Sequence, residues 1–176
     1  MRQKQRIVSV RPIPESTPLD ANELLTGLWI GAKPPRGPAV HNAGFSLCVF
    51  CANEIQPSHP GRYPGVSILN APLRDAEPND KERMIAIGAG KFVSNWIKTG
   101  KGRVLVTCHM GLNRSALVCA LAWKMLQPKR TMKMIIHDIR ERRDPYALCN
   151  EDFVKFLLEF DSYGPAFSYY VNPVIT

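Results

Sequence analysis

The chain has 176 residues, 45% of them apolar and 22% charged, the profile of one globular domain with enough apolar side chains to bury a core. Lysine and arginine outnumber aspartate and glutamate 23 to 15, a net charge of +8, so phosphate-bearing partners are attracted over long range. The longest uninterrupted apolar stretch, Ala116 to Trp123, spans 8 residues against the roughly 20 that a bilayer crossing needs, which excludes a membrane-spanning helix.

Residues 1–18 carry Arg2, Lys4, Arg6, Arg11 and three prolines with little periodicity, and read as a loosely ordered basic tail. No apolar run of about 7 to 15 residues follows those basic residues, as a secretory signal would require, which predicts a cytoplasmic protein with no membrane partner. The five cysteines, Cys48, Cys51, Cys108, Cys119 and Cys149, are an odd number, and in that compartment they are expected as reduced thiols rather than as a disulfide framework. The folded domain is expected over 19–160, with a C-terminal tail over 161–176.

In chain order, Leu28-Trp29-Ile30-Gly31 reads as a short strand and Phe45 to Cys51 as a buried one, being aromatic, β-branched and almost free of polar side chains. Val66 to Leu69 reads as a third strand. Pro72 to Asn79 reads as a surface loop, because prolines cannot donate to a ladder. From Asp80 to Lys98, Ile85, Ala89, Phe92 and Trp96 recur at helical spacing, with Asn79 or Asp80 as cap and Gly100 at the far end.

Arg103 to Thr107 is a strand of the buried parallel type, and Ser115 to Leu126 an apolar helix that Pro128 ends. Thr131 to Arg142 carries Met134, Ile135 and Ile139 on one stripe. Glu151 to Phe160, capped by Asn150, carries Phe153, Phe156, Leu157 and Phe160. Strands alternating with helices, then a helical C-terminal third, predict an α/β fold with a central, mostly parallel sheet flanked by helices.

The segment that carries chemistry is Val104 to Ser115, a buried strand running through a glycine-bearing turn into a helix, in the pattern Cys, five residues, Arg, Ser. A tight turn at a helix start points several backbone N–H groups inward and adds the positive end of the helix dipole, so Cys108-His109-Met110-Gly111-Leu112-Asn113-Arg114 reads as a nest for a tetrahedral dianion. Gly111 lets the backbone turn without a Cβ clash. The same field favours a thiolate at Cys108, a nucleophile. Arg114 supplies a planar fork for two phosphate oxygens, and Ser115 can donate a hydrogen bond to the sulfur when it leaves.

Cys48 and Cys51 form a C-x-x-C within an apolar strand; alternation puts them on opposite faces without the second pair a metal site needs, so they read as buried structural cysteines. His41, His59 and His137 lack ligand spacing and read as surface residues. Arg140-Glu141-Arg142-Arg143 reads as a solvated helix end, complementary to the macrodipole. No metal and no cofactor is implied.

These residues resemble the cysteine-dependent protein phosphatases, most closely the compact dual-specificity phosphatases, including small bacterial and phage members, over about residues 24 to 160. Gly27-Leu28-Trp29-Ile30-Gly31, Asn70-Ala71-Pro72-Leu73-Arg74-Asp75 and Leu148-Cys149-Asn150 also look like the family's. The resemblance implies a tyrosine-phosphatase-like fold, hydrolysis of phosphomonoesters through a phosphocysteine, and a phosphorylated protein or peptide as substrate. It implies a general acid on a surface loop about thirty residues before the nucleophile; Asp75 stands 33 positions ahead of Cys108 (108 − 75), with Asp80 in reserve.

The family usually has histidine directly before the nucleophile. Here Thr107 stands there, with His109 one place after the cysteine as a loop side chain at the pocket rim. The resembling fold also places the strand ending at Cys51 beside the one ending at Thr107, which makes Cys51 a candidate redox partner for Cys108. Gly111-Leu112-Asn113-Arg114 further resembles the loop of the superfamily's RNA 5′-phosphatases, an alternative substrate class. A catalytically weak phosphate-binding module is the third reading, against which the retained Cys108, Arg114 and Asp75 argue.

Overall fold

The structure is a computed structural model that describes residues 19–57 and 59–162. The basic tail read over 1–18 lies outside the described residues, as does all but the first two residues of the tail read over 161–176. Five strands form one sheet: β1 (Ala21–Leu25), β2 (Leu28–Gly31), β3 (Phe45–Ala52), β4 (Ser67–Leu73) and β5 (Arg103–Thr107), in the order β1-β2-β5-β3-β4. Only β1 runs antiparallel, paired with β2 at one edge; β2, β5, β3 and β4 are parallel.

Five helices complete the domain: α1 (Ala39–Asn42), α2 (Asp80–Lys98), α3 (Arg114–Leu126), α4 (Met132–Arg142) and α5 (Glu151–Ser162). α3 packs on β2, β3 and β5 and touches α2, α4 and α5, so it must be apolar all round. Leu117, Val118, Cys119, Ala120, Leu121 and Trp123 are all buried. Gly90 lets α2 approach it, since a Cβ there would stand 2.8 Å from Leu121 Cβ. No helix among the described residues is long and apolar enough to cross a membrane.

The sequence expectations for this architecture hold in outline and fail in three local places. β4 extends through Pro72 to Leu73, although its prolines pointed to a loop; it is an edge strand, and the register slips between Phe50 and Ala52, where a missing N–H costs no ladder bond. Of the stripe expected on α2, Ala89 is buried and Ile85 and Trp96 are half-buried against the core, but the buried face is centred on Ala86, Ala89, Gly90 and Val93, and Phe92 is exposed, stacked on Trp96 at 5.7 Å. α4 buries Met132, Ile135, Ile136 and Ile139, leaving Met134 outside.

Candidate active site

β5 is flanked on both sides, and its register pairs Thr107 with Gly31 of β2 and with Phe50 of β3. The three strands therefore end at one level, and the turn Cys108–Asn113 leaves β5 there to enter α3 at Arg114. Gly111 has φ +72°, the left-handed region, and a Cβ on it would stand 2.5 Å from the carbonyl carbon of Gly31. Glycine is required at that position by both conformation and space.

Each carbonyl from His109 to Asn113 accepts a hydrogen bond from outside the turn. Lys33 N–H donates to His109 O at 3.3 Å, Leu148 N–H to Leu112 O at 2.9 Å and Leu117 N–H to Asn113 O at 2.8 Å. Arg143 covers the other two, with Nη2 to Met110 O at 3.0 Å and Nε to Gly111 O at 3.2 Å. With the carbonyls drawn outward, the N–H groups are left for the inside of the turn, and that of Gly111 points at Cys108 Sγ, 3.2 Å away. Ser115 Oγ lies 3.2 Å from the same sulfur. Cys108 thus faces a backbone N–H and a hydroxyl at a helix N-terminus, an arrangement that stabilises negative charge on sulfur or on a bound oxyanion.

Arg143 corrects the reading of the 140–143 run as a solvated helix end. Its side chain is 7% exposed, anchored by Asp20 at 2.5 Å and Asn22 at 2.7 Å. Arg140 likewise turns inward, donating to Ala147 O and Leu148 O. The guanidinium of Arg143 is the main cause that holds the Asp20 carboxyl below its ordinary range.

The Arg114 side chain is 9% exposed. Its Nη1 donates to both oxygens of Glu54 at 2.6 and 2.7 Å, and this guanidinium is the main cause that holds the Glu54 carboxyl below the usual carboxylate range. Its Nε is buried without a hydrogen-bond partner among the described residues, 3.9 Å from Asp75 Oδ2. A buried orphan donor on a fixed cation is a place for an anion.

Asp75 lies on the loop after β4, at the rim of the same cleft. The loop is pinned beside it by Glu82, whose carboxylate takes the Arg74 N–H and the Arg74 fork at 2.8 Å while closing a capping box with Asn79. Arg74 is the main cause that brings the Glu82 carboxyl down to about 2. Asp80 is the first residue of α2, behind the Asn79 cap. The structure thus brings Cys108, Arg114, Ser115 and Asp75 together.

Thr107 is fully buried, and its Oγ1 donates to Val49 O at 3.0 Å, so the position before the nucleophile stitches β5 to β3. His109 and Met110 are exposed at the rim. Cys51 and Cys119 are fully buried, and burial pushes both thiols well up, with charge on Cys108 adding to the effect on each. Cys51 follows Phe50, the register partner of Thr107, which puts it at the level of Cys108. Among the described residues no group of three or more His, Cys, Asp or Glu has the arrangement of a metal site.

Glu54 was not singled out from the sequence, and Arg143 was read only as part of a solvated helix end. Glu54 had a signal, standing three residues beyond Cys51 at a strand end that opens on the cleft; Arg143 had none, because its partners lie 32 and 123 positions away.

Residues 28–163 match the family model of the dual specificity phosphatase catalytic domain. A mouse dual specificity phosphatase solved as a complex with zinc tungstate is 25% identical, covers 92% of this chain and 98% of its own, and superposes with a TM-score of 0.71. Human DUSP28 is 22% identical over 86% of this chain and 97% of its own, with a TM-score of 0.65. The PTP-2 phosphatase of Cydia pomonella is 17% identical over 80% and 89%, also at 0.65; these last two share the fold. No curated protein matches the chain. On the family match across most of its length, the chain belongs to the dual specificity phosphatase catalytic-domain family.

Proposed function

We propose that the chain is a protein phosphatase acting on phosphotyrosine, and on phosphoserine and phosphothreonine, through a phosphocysteine at Cys108. The observation that carries this reading is the turn whose carbonyls from His109 to Asn113 are tied outward while Gly111 N–H and Ser115 Oγ converge on Cys108 Sγ. The orphaned Arg114 Nε supports it, since a phosphate oxygen would satisfy that donor.

In the first step the Cys108 thiolate attacks phosphorus, the bond from phosphorus to the leaving oxygen breaks, and Asp75 gives its proton to that oxygen. Arg114 and the inward N–H groups hold the equatorial oxygens as charge develops on them. In the second step Asp75, now a carboxylate, takes a proton from water, whose oxygen attacks phosphorus. The sulfur–phosphorus bond breaks, Ser115 donates a hydrogen bond to the departing thiolate, and inorganic phosphate is released. Glu54 holds the guanidinium of Arg114 by Nη1 and leaves Nε for the phosphate.

The test is turnover of phosphotyrosine peptide, phosphoserine peptide and 5′-triphosphorylated RNA by one preparation, with Cys108→Ser and Asp75→Asn alongside. Phosphopeptides should turn over and the RNA should not; the reverse order would replace the substrate class. Cys108→Ser should retain less than about 1% of activity, as loss of a nucleophile does, while still binding vanadate or tungstate. Retained turnover would overturn the phosphocysteine. Asp75→Asn should hurt the phosphotyrosine peptide far more than an aryl phosphate with an acidic phenol, whereas equal losses would remove Asp75 as proton donor.

A further inference from the structure

The aspartate proposed as proton donor is itself held, by two asparagine side chains from different parts of the chain. Asn150 Nδ2 donates to Asp75 Oδ1 at 3.1 Å, and Asn113 Nδ2 to Asp75 Oδ2 at 3.3 Å. The orientation of each amide follows from its other contacts. Asn150 Oδ1 accepts from the N–H groups of Asp152 and Phe153, at 3.1 and 3.3 Å, as the cap of α5. Asn113 Oδ1 accepts the Asn150 N–H at 3.2 Å. Backbone N–H groups only donate, so the oxygen of each amide must face them and the NH2 must face Asp75.

The consequence for chemistry lies in where the carboxyl can keep a proton. Each carboxyl oxygen has two lone-pair sites, one taken by an amide donor and one left over. Amide donors contribute no charge and accept nothing from the carboxyl, so the proton stays available to a leaving oxygen while the plane of the carboxyl is fixed. Arg74, the neighbour of Asp75, is pinned by Glu82. The backbone on one side of the aspartate and both of its oxygens are therefore anchored.

We propose that Asn150 and Asn113 are positioning residues that hold the Asp75 carboxyl in its proton-donating place over the phosphate loop. The inference rests on the reading of Asp75 as general acid. Asn113 lies within the phosphate loop itself, one residue before Arg114, so the same link fixes the distance between acid loop and phosphate loop. It is a requirement of in-line proton delivery, where small displacements of a catalytic group are costly.

The test uses Asn150→Ser, because serine also caps helices well but cannot reach Asp75 from the cap position. kcat is measured on phenyl phosphate, a poor leaving group, and on an aryl phosphate with an acidic phenol. Asn150→Ser should lower kcat about tenfold on the former and less than twofold on the latter, part of what a general acid contributes, with KM and vanadate affinity unchanged. Asn150→Asp, which keeps the cap and removes the donor, should lose at least as much on phenyl phosphate. In Asp75→Asn the further change Asn150→Ser should cost nothing more, since both act through one proton.

Equal losses on the two substrates, or additive losses in the double variant, would make Asn150 a structural residue and overturn the proposal. So would unchanged kcat on both. If Asp75→Asn alone shows no dependence on the leaving group, the assignment of the acid has failed and this inference goes with it; if Asp75→Asn shows the dependence and Asn150→Ser does not, only the positioning role is lost.

Discussion

Arg143 offers the sharpest test of how the phosphate loop is built, because one guanidinium holds two of its five outward carbonyls. Arg143→Ala removes the bonds to Met110 O and Gly111 O, each a charged donor to a neutral acceptor and worth about 1.5 to 3 kcal/mol. The ion pair with Asp20 adds little, at most about 1 kcal/mol, because the Asp20 side chain is 67% exposed. A loss of about 3 to 7 kcal/mol in stability is expected from these contacts. Part of it depends on pH. The Asp20 carboxyl is held below its ordinary value in the folded chain, so its contribution is present above the unfolded carboxylate pKa and lost as pH falls through the folded one. The gap in stability between wild type and Arg143→Ala should therefore narrow in acid, below about pH 4. Activity should fall more steeply than stability alone explains: freed carbonyls can rotate toward the dianion, and removing one preorganised oxyanion donor costs roughly 100- to 1,000-fold. The assays are kcat/KM and vanadate inhibition at a temperature where the variant is fully folded, with denaturant titration for stability. Arg143→Lys can reach one carbonyl but not fork, and should fall between the two. If Arg143→Ala keeps more than half its activity and its vanadate affinity, the outward carbonyls are not what shapes the loop.

Two other outcomes follow from the same geometry. Gly111→Ala places a Cβ 2.5 Å from backbone at Gly31 in a conformation with φ +72°, a strain of at least about 1 to 2 kcal/mol before the clash is relieved; turnover and vanadate affinity should both drop at least about tenfold, and values within twofold of wild type would show that the loop can move aside. For Cys51, peroxide converts the Cys108 thiolate to a sulfenic acid, which the Cys51 thiol can capture as a disulfide with loss of water; burial holds that thiol protonated, so capture should be slow, and Cys51→Ser exposed to low, sustained peroxide should regain less activity under reductant than wild type or Cys119→Ser. Equal recovery, with no peptide linking Cys51 to Cys108 by mass spectrometry, makes Cys51 core packing.

The parts of the fold legible from the chain are those whose determinants lie close together in sequence. α2 is bounded by Asn79 and Thr99, within a residue of the expected limits, because the capping box with Glu82 and Gly100 with φ +69° are local signals. Phe153, Phe156, Leu157 and Phe160 keep the buried face read for α5. β1 was not legible: Asn22 and Glu23 interrupt any apolar run, and the strand exists because its edge pairs with β2 and its Asn22 meets Arg143 across 121 positions. Pro72 in β4 and the rotated face of α2 failed for a related reason. Whether a strand is at an edge, or which side of a helix meets Leu121, is decided by neighbours that a local window does not contain.

The same division runs through the site. Cys108, Gly111, Arg114 and Ser115 were legible because the groups proposed to face the phosphate come from one short stretch and must stand in one order. The groups that face away from it come from everywhere: Lys33 after β2, Arg143 at the end of α4, Leu148 before α5 and Leu117 in the second turn of α3 each hold a carbonyl of the turn. Two of those bonds to the turn are made by backbone N–H groups of the loops beside it, at Lys33 and Leu148, which no side-chain pattern within the turn announces. Asp75 was singled out by its distance from Cys108, but the two amides that hold it, at Asn113 and Asn150, could be assigned only once their oxygens were seen to be occupied by backbone donors. A chain can therefore keep the cysteine, the arginine and the serine in register and still lose catalysis through residues that never touch the phosphate. On the proposed function, the pattern Cys, five residues, Arg specifies what the loop binds, and the outward bonds determine whether the loop is already in the shape that binds it.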